Sequence, residues 1–454
     1  MKRVGSLTSG ATPSQVISDL KPLISFQEAG LPWPQLEDLI EQNLIPHLID
    51  YSQPGFQSMF NAFPEPGGLR GAELALAMNQ GVTNWQVSPG GAMLEEMCCQ
   101  ALCRLFGLAN KADATFMYSG TYANQEAIYL ALHRFAEQQG FNLGEKGISG
   151  FTNPKKLAVL TSKDAHFSVR QAVRMLGLGE ECLHLLPVDR DRRVDQTAVS
   201  SLIHTLQKTH QIFCIVATTG TTSTGAIDPI APLAQHSQQL GAWLHIDGAY
   251  GYAYKLVPGW EALFAGDTEA DSISWDPHKQ MGIPIPNSVL FVKNGRDFGR
   301  MTLHSGYFNR AEDAEPNPGL KSPPTTRPFS ALPLVTSIRT LGLAQLRENL
   351  RSPLVAMRQL ATYLDTQSDI ERCHDPDTGI LCFRVKPQHV AKADLDKLQR
   401  WLYEQTMREG KYTVSTTTLD GQTVLRLVVV VPTKVENLIE NVANLQQMGQ
   451  RYGK

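Results

Sequence analysis

Nowhere along the 454 residues does an uncharged apolar run reach the roughly 20 residues needed to span a bilayer. The longest candidates break at Asp, Arg or Pro. Charge of one sign is missing as well: 41 Lys and Arg face 44 Asp and Glu, a formal net charge of −3 with no long block of either sign. Nucleic acid and anionic membranes are therefore not expected as partners. The seven cysteines, Cys98, Cys99, Cys103, Cys182, Cys214, Cys373 and Cys382, are odd in number and lack the paired spacing of a disulfide framework or a zinc site. No metal is expected, and a reducing, cytoplasmic setting fits best. The stretch from Met1 to Gln15 is rich in Gly, Ser and Thr and has no apolar core of a secretion signal. Internal repeats and low-complexity tracts are also absent.

What is present is a 42% hydrophobic chain, long enough for two or three associated domains. Residues 13–60 carry helical spacing broken by Pro22, Pro32 and Pro34, which predicts a helical arm, taken as 1–92. Apolar positions Met93, Leu94, Met97, Ala101, Leu102, Leu105 and Phe106 predict an amphipathic helix ended by Gly107. A large α/β domain, 93–344, starts there. Within it, β-rich runs at 156–161, 212–218, 242–247 and 288–292 alternate with helical segments at 121–137 and 229–240, which predicts a mostly parallel sheet covered by helices. The polar, Pro-rich stretch 309–327 reads as a long loop of the kind that often serves as a lid. A smaller α+β domain, 345–454, has strands at 379–385 and 424–431 flanking a helix at 393–409.

Four stations in the large domain suit one cofactor. Tyr118-Ser119-Gly120-Thr121 opens a helical run containing Asn124; small residues at a helix N-terminus present N–H groups to a phosphate, although the same string is an ordinary cap. Asp164-Ala165-His166 follows a strand, where an imidazole can stack on a flat ring or simply pack. His245-Ile246-Asp247-Gly248-Ala249 ends a buried strand in an acid. A buried carboxylate needs a partner, and a protonated pyridine nitrogen would supply one while becoming an electron sink. Ala249 leaves room for such a ring; the bland alternative for Asp247 is a turn cap. Finally, Asp271 to Gln280 places Lys279 after a strand-like run and a Pro turn. A lysine in an apolar setting can attack an aldehyde as a free amine, and its place 32 residues beyond Asp247 favours a Schiff-base role over a surface His-Lys pair. Together the stations point to pyridoxal 5′-phosphate.

The string from His245 to Lys279, with Thr219-Gly220-Thr221-Thr222 and Gly225-Ala226-Ile227-Asp228-Pro229, resembles the group II pyridoxal-phosphate-dependent decarboxylases, which act on aromatic amino acids, glutamate or diaminobutyrate. Asn79-Gln80, Trp85-Gln86-Val87-Ser88-Pro89, Glu95, Cys382-Phe383-Arg384, Asp420-Gly421 and Leu425-Arg426-Leu427 extend the likeness from about residue 55 to the end. It implies the fold type I (aspartate aminotransferase-like) architecture and decarboxylation of an L-amino acid to its amine. It implies Lys279 as the covalent anchor, Asp247 as the ring-nitrogen partner, His166 as the stacking group and Ala249 on the other ring face. It also implies Ser119, Gly120 and Thr121 at the phosphate, with His278 and Thr219 beside the cofactor. His304 to Asn309 resembles the stretch that carries a mobile-loop proton donor, here Tyr307; Arg327 matches a position that can meet the substrate carboxylate, and Trp85 lies in the substrate-side motif. Ser119, Tyr122 and Pro328 depart from the family pattern without removing a catalytic group. The run from His304 to Arg327 leans toward a polar or diamino acid such as 2,4-diaminobutyrate. The family also implies a homodimer. Aldehyde synthase, carbon–sulfur lyase and aminotransferase activities would share Lys279, Asp247 and His166, and a catalytically silent cofactor-binding protein is the rival from another class.

Overall fold

A computed structural model describes residues 7–304, 310 and 315–453, which divide into two compact units. One is Pro64–Leu354 with Pro376–Thr378; the other joins the first 63 residues to Val355–Asp375 and Gly379–Lys454. The boundaries thus fall at 63/64 and 354/355, whereas the sequence reading set them at 92/93 and 344/345.

The larger unit is built on β1 (Asp113–Met117), β2 (Leu157–Ser162), β3 (Leu183–Leu186), β4 (Gln211–Thr218), β5 (Trp243–Asp247), β6 (Ser272–Trp275) and β7 (Ser288–Val292). Their order is β1-β7-β6-β5-β4-β2-β3. Strands β2 to β6 run parallel, and β7 is antiparallel to both neighbours, β1 and β6. Every residue of β2, β5, β6 and β7 is buried, as expected of strands with both faces covered. That is why they read as continuous apolar runs. Helix Gly120–Gln138 lies on one face, and its Ala123, Ala127, Ile128 and Ala131 pack with Val159, Val216 and Trp243 of the sheet. Parallel strands direct their C-terminal ends to one edge, where ligands of open α/β sheets bind. Thr218, Asp247 and Trp275 end β4, β5 and β6 there.

The smaller unit carries an antiparallel sheet of β8 (Ile370–Arg372), β9 (Ile380–Val385), β10 (Ser415–Leu419) and β11 (Gln422–Val428), in the order β10-β11-β9-β8. Asp420 and Gly421, at φ 47° and 81°, form the two-residue turn between β10 and β11, the type I′ turn having positive φ at both positions. Helices Leu395–Glu409 and Val435–Arg451 supply Leu398, Leu402, Leu438 and Leu445 to the core over Phe383, Leu425 and Leu427. The first helices, Pro13–Leu20 and Trp33–Asn43, bury no residue. Among the described residues no helix is long and apolar enough to cross a membrane.

Candidate active site

A chain of hydrogen bonds at the C-terminal ends of β5 and β6 converges on Asp247. Burial pushes the His245 imidazole down to about 4, the nearby Asp247 charge opposing it, so the ring is neutral and has one donor and one acceptor nitrogen. Trp243 Nε1 donates to Ser272 Oγ (2.8 Å), which lies 2.9 Å from His245 Nδ1. His245 Nε2 in turn lies 2.9 Å from Asn124 Oδ1, to which Ser274 Oγ also donates (2.8 Å). Asn124 Nδ2 then donates to Asp247 Oδ2 (2.8 Å) and to Ser168 Oγ (2.9 Å). All these groups are buried, and with the His245 proton on Nε2 the donations run one way. Asp247 ends the chain as an acceptor, its Oδ1 also taking the Ala249 N–H (3.2 Å). The arrangement presents a fixed carboxylate that can still accept a proton-bearing group.

Lys279 faces that carboxylate's surroundings from the turn after β6. Its Nζ is 3.0 Å from Asp276 Oδ2, while Ser288 Oγ donates to Asp276 Oδ1 (2.6 Å). Asp276 also fixes the turn, because its N–H donates to the Ala249 carbonyl and its carbonyl accepts from the Lys279 N–H. Gly120 meets this group closely: a Cβ there would lie 2.9 Å from both Ala249 Cβ and Asp276 Oδ2. Only glycine lets the first turn of the helix, capped by Ser119, come so near. Thr121 is the next residue of that turn. Gly220 holds the loop after β4 in a similar manner, at φ 98° with Tyr250 Cδ1 2.8 Å from where its Cβ would be.

His166 caps helix Phe167–Met175, its Nδ1 accepting from the Ser168 N–H (3.2 Å), which puts the proton of the neutral ring on Nε2. Burial lowers its pKa, Lys279 adding to the effect and Asp247 and Asp276 opposing it. Arg192 braces the turn before it through Asp164 (2.8 and 2.9 Å). His278 also has its pKa lowered, chiefly by burial, with Asp276 opposing, and its Nδ1 lies 2.5 Å from the Asn287 carbonyl.

The remaining expected residues are placed differently. Strand register pairs Thr218 with Asp247 and Asp247 with Ser274, so these three side chains share a face and the alternation of a strand sends Thr219 to the other. Thr219 still touches the site through its backbone, its N–H donating to the Asp247 carbonyl (2.9 Å). Both threonine hydroxyls are buried with no hydrogen-bond partner among the described residues. Arg327 is 4% exposed, and both terminal nitrogens are occupied: Nη1 by Thr115 Oγ1, Ser322 Oγ and the Pro318 carbonyl, Nη2 by the Glu95 carboxylate and the Phe116 carbonyl. That leaves no fork for a substrate carboxylate. Trp85 is 41% exposed, and no hydrogen bond or ring contact ties it to Lys279, Asp247 or His166 among the described residues. Tyr307 lies outside the described residues. Sequence reasoning passed over Asp276, His245 and Ser274, and saw Asn124 only as part of a helix; an Asp three residues before the lysine was the available signal.

Residues 13–386 match the family model of the pyridoxal-dependent decarboxylase conserved domain. The chain belongs to this family. It is an amino acid decarboxylase, a carboxy-lyase that uses pyridoxal 5′-phosphate. It is similar to the L-2,4-diaminobutyrate decarboxylase of Acinetobacter baumannii, 28% identical over 380 residues (81% of this chain, 74% of the relative). It is also similar to the enzyme of the same name from Rhizobium meliloti, 27% identical over 432 residues (94% and 83%). The fold is that of the glutamate decarboxylase domain of the diaminobutyrate-pyruvate transaminase and L-2,4-diaminobutyrate decarboxylase from Vibrio parahaemolyticus, with a TM-score of 0.88 at 23% identity, covering 99% of this chain and 92% of that one. It confirms the expected type I decarboxylase fold. The residues at these strand ends suit the cofactor: the space a Cβ at Gly120 would fill lies against Ala249 and Asp276, Asp276 pairs with Lys279, and the unpartnered Thr218 hydroxyl is on the strand position paired with Asp247, the acceptor end of the hydrogen-bond chain.

Proposed function

We propose that Lys279 anchors the cofactor, Asp247 holds a proton on its pyridine nitrogen and His166 stacks on its ring, with Ala249 on the opposite face. Ser119, Gly120 and Thr121 hold the phosphate at the helix N-terminus, His278 stands nearby, and Thr218 takes the side-chain place expected of Thr219. The observation that carries this reading is the one-way hydrogen-bond chain ending at Asp247. When bound, the cofactor supplies an electron sink for the pair left on Cα as carbon dioxide departs. Asn124 keeps the Asp247 carboxylate aimed, so that no reorientation is needed as charge develops. Lys279 would hold the cofactor through its side-chain amine. Arg327 braces the wall through Glu95. Tyr307 is proposed as proton donor to Cα on the resemblance of residues 304–309, and Trp85 as a substrate-side residue on the same ground.

The substrate proposed is a diamino acid, L-2,4-diaminobutyrate, supported by the names of the two relatives above and by the 304–327 run. The active assembly is proposed to be a cytoplasmic homodimer. The apolar residues left exposed on the arm, Ile17 (62%), Phe26 (94%) and Trp33 (64%), support an arm covered by a second copy. Incubating the purified enzyme with mixed L-amino acids and identifying the amine tests the substrate: 1,3-diaminopropane with carbon dioxide is expected, and an aromatic or acidic product overturns the diamino reading. Light scattering should give twice the chain mass.

A further inference from the structure

A cavity of about 270 Å³, near the low end of volumes that hold a small molecule (~300 Å³), flanks helix Gly120–Gln138. Most of its walls are apolar or aromatic, including Met117, Tyr122, Tyr129, Leu176 and Met301. At 100° per residue, Tyr122, Glu126 and Tyr129 lie on the face of the helix opposite Asn124, and the cavity shares no lining residue with the group around Lys279 and Asp247.

Glu126 lines this cavity, is 3% exposed, and among the described residues has no hydrogen-bond partner on either carboxylate oxygen. The Gln125 amide oxygen, also in the lining, is buried and unpartnered too. The one cation in the lining, Arg327, is paired with Glu95, and it offers a single unpartnered donor, Nε. Among the described residues of the lining, three buried acceptor atoms without a partner thus stand against one such donor, and after Arg327 is set against Glu95 one carboxyl is left over. A buried carboxylate without a partner is costly, and burial pushes the Glu126 carboxyl well up, Arg327 pulling it back only in part. Among the described residues no group of three or more His, Cys, Asp or Glu side chains is placed to hold a metal ion. An ammonium group with a short apolar tail matches both the acceptors and the walls, and the tyrosine rings suit a cation.

We propose that this cavity binds a small alkylammonium ion, its amine paired with Glu126 and its chain lying against Met117, Tyr129 and Leu176. The class includes the amine that decarboxylation releases, so the site is one at which product can bind apart from the catalytic centre. Calorimetric titration of n-propylamine, with 1-propanol as neutral control, tests it on holoenzyme whose cofactor link has been reduced with borohydride so that amine cannot exchange at Lys279. One amine per chain should bind, propanol should not at the same concentration, and E126Q should bind at least ~10-fold more weakly, the loss of one charge-assisted contact. Equal binding by E126Q, equal binding of propanol, or no amine binding overturns the proposal. Should E126Q fail to fold, a crystal structure of the wild-type holoenzyme with the amine decides. An amine nitrogen about 3 Å from Glu126 supports the site, whereas a side chain of a second copy filling the cavity overturns it. Neither failure touches the assignment of Lys279, which peptide mapping of the reduced link reports separately.

Discussion

Replacing Asn124 with Leu keeps the side chain's shape and removes all four of its hydrogen bonds, to Asp247, Ser168, His245 and Ser274. His245 Nε2–H then faces no acceptor, and Asp247 keeps only the Ala249 N–H at 3.2 Å and Ser274 Oγ at 3.4 Å. Stranding a buried polar group costs about 1–3 kcal/mol, with charged groups at the upper end. Two stranded partners therefore destabilise the apo enzyme by about 3–5 kcal/mol, a large share of a typical 5–15 kcal/mol. Urea unfolding of the apo variant measures this, and titration of absorbance with pyridoxal phosphate measures what the loosened carboxylate does to the cofactor, where a ~10-fold weaker Kd is expected. A variant within about 1 kcal/mol of wild type that also bound cofactor equally would refute the claim that Asn124 holds Asp247 in place.

His245 gives a pH prediction. Its pKa is depressed from 6.5 to about 4 in the fold, so the unfolded chain binds more protons between those values and stability falls as pH drops through that window, by about 3 kcal/mol at most. Asp228, pushed up to about 7 by burial, has the opposite sign over the same range; the test is therefore the difference between wild type and His245→Gln, and the stability of wild type relative to the apo variant should fall as pH drops from 6.5 to 4. An identical slope contradicts the neutral-histidine network. Thr218→Val is expected to weaken cofactor binding several-fold and Thr219→Val to leave it near wild type; the reverse order would show that strand register misplaces the hydroxyl. Arg327→Met strands Glu95 and should cost about 3–5 kcal/mol of stability, whereas a raised KM with unchanged stability would return Arg327 to the substrate carboxylate.

The chemistry-bearing stations were legible because each sits where a strand or turn delivers it. Asp247 ends an apolar strand, and His166 and Lys279 follow theirs within a few residues. Asn124, His245 and Ser274 were not, since the bonds that join His245 and Ser274 to Asn124 span 121 and 150 positions and no local pattern encodes them. Thr218 and Thr219 are adjacent and identical, so only the pairing of β4 with β5 tells them apart. Central strands read well because burial on both faces leaves continuous apolar runs. The segment Ala331–Asp365 is two helices that meet at a kink at Gly342 (φ 69°), where glycine acts as the breaker its residue type signals, whereas Pro353 is accommodated inside the second helix. The membership of residues 1–63 in the smaller unit was likewise invisible, depending on bonds such as Gln57 to Thr413 and Asn441.

Borohydride reduction of the holoenzyme followed by peptide mapping tests the core assignment most directly. A pyridoxyl group on the peptide containing Lys279, with Lys279→Ala neither labelled nor absorbing in the visible, is the predicted result. Label on any other lysine would contradict the site described here.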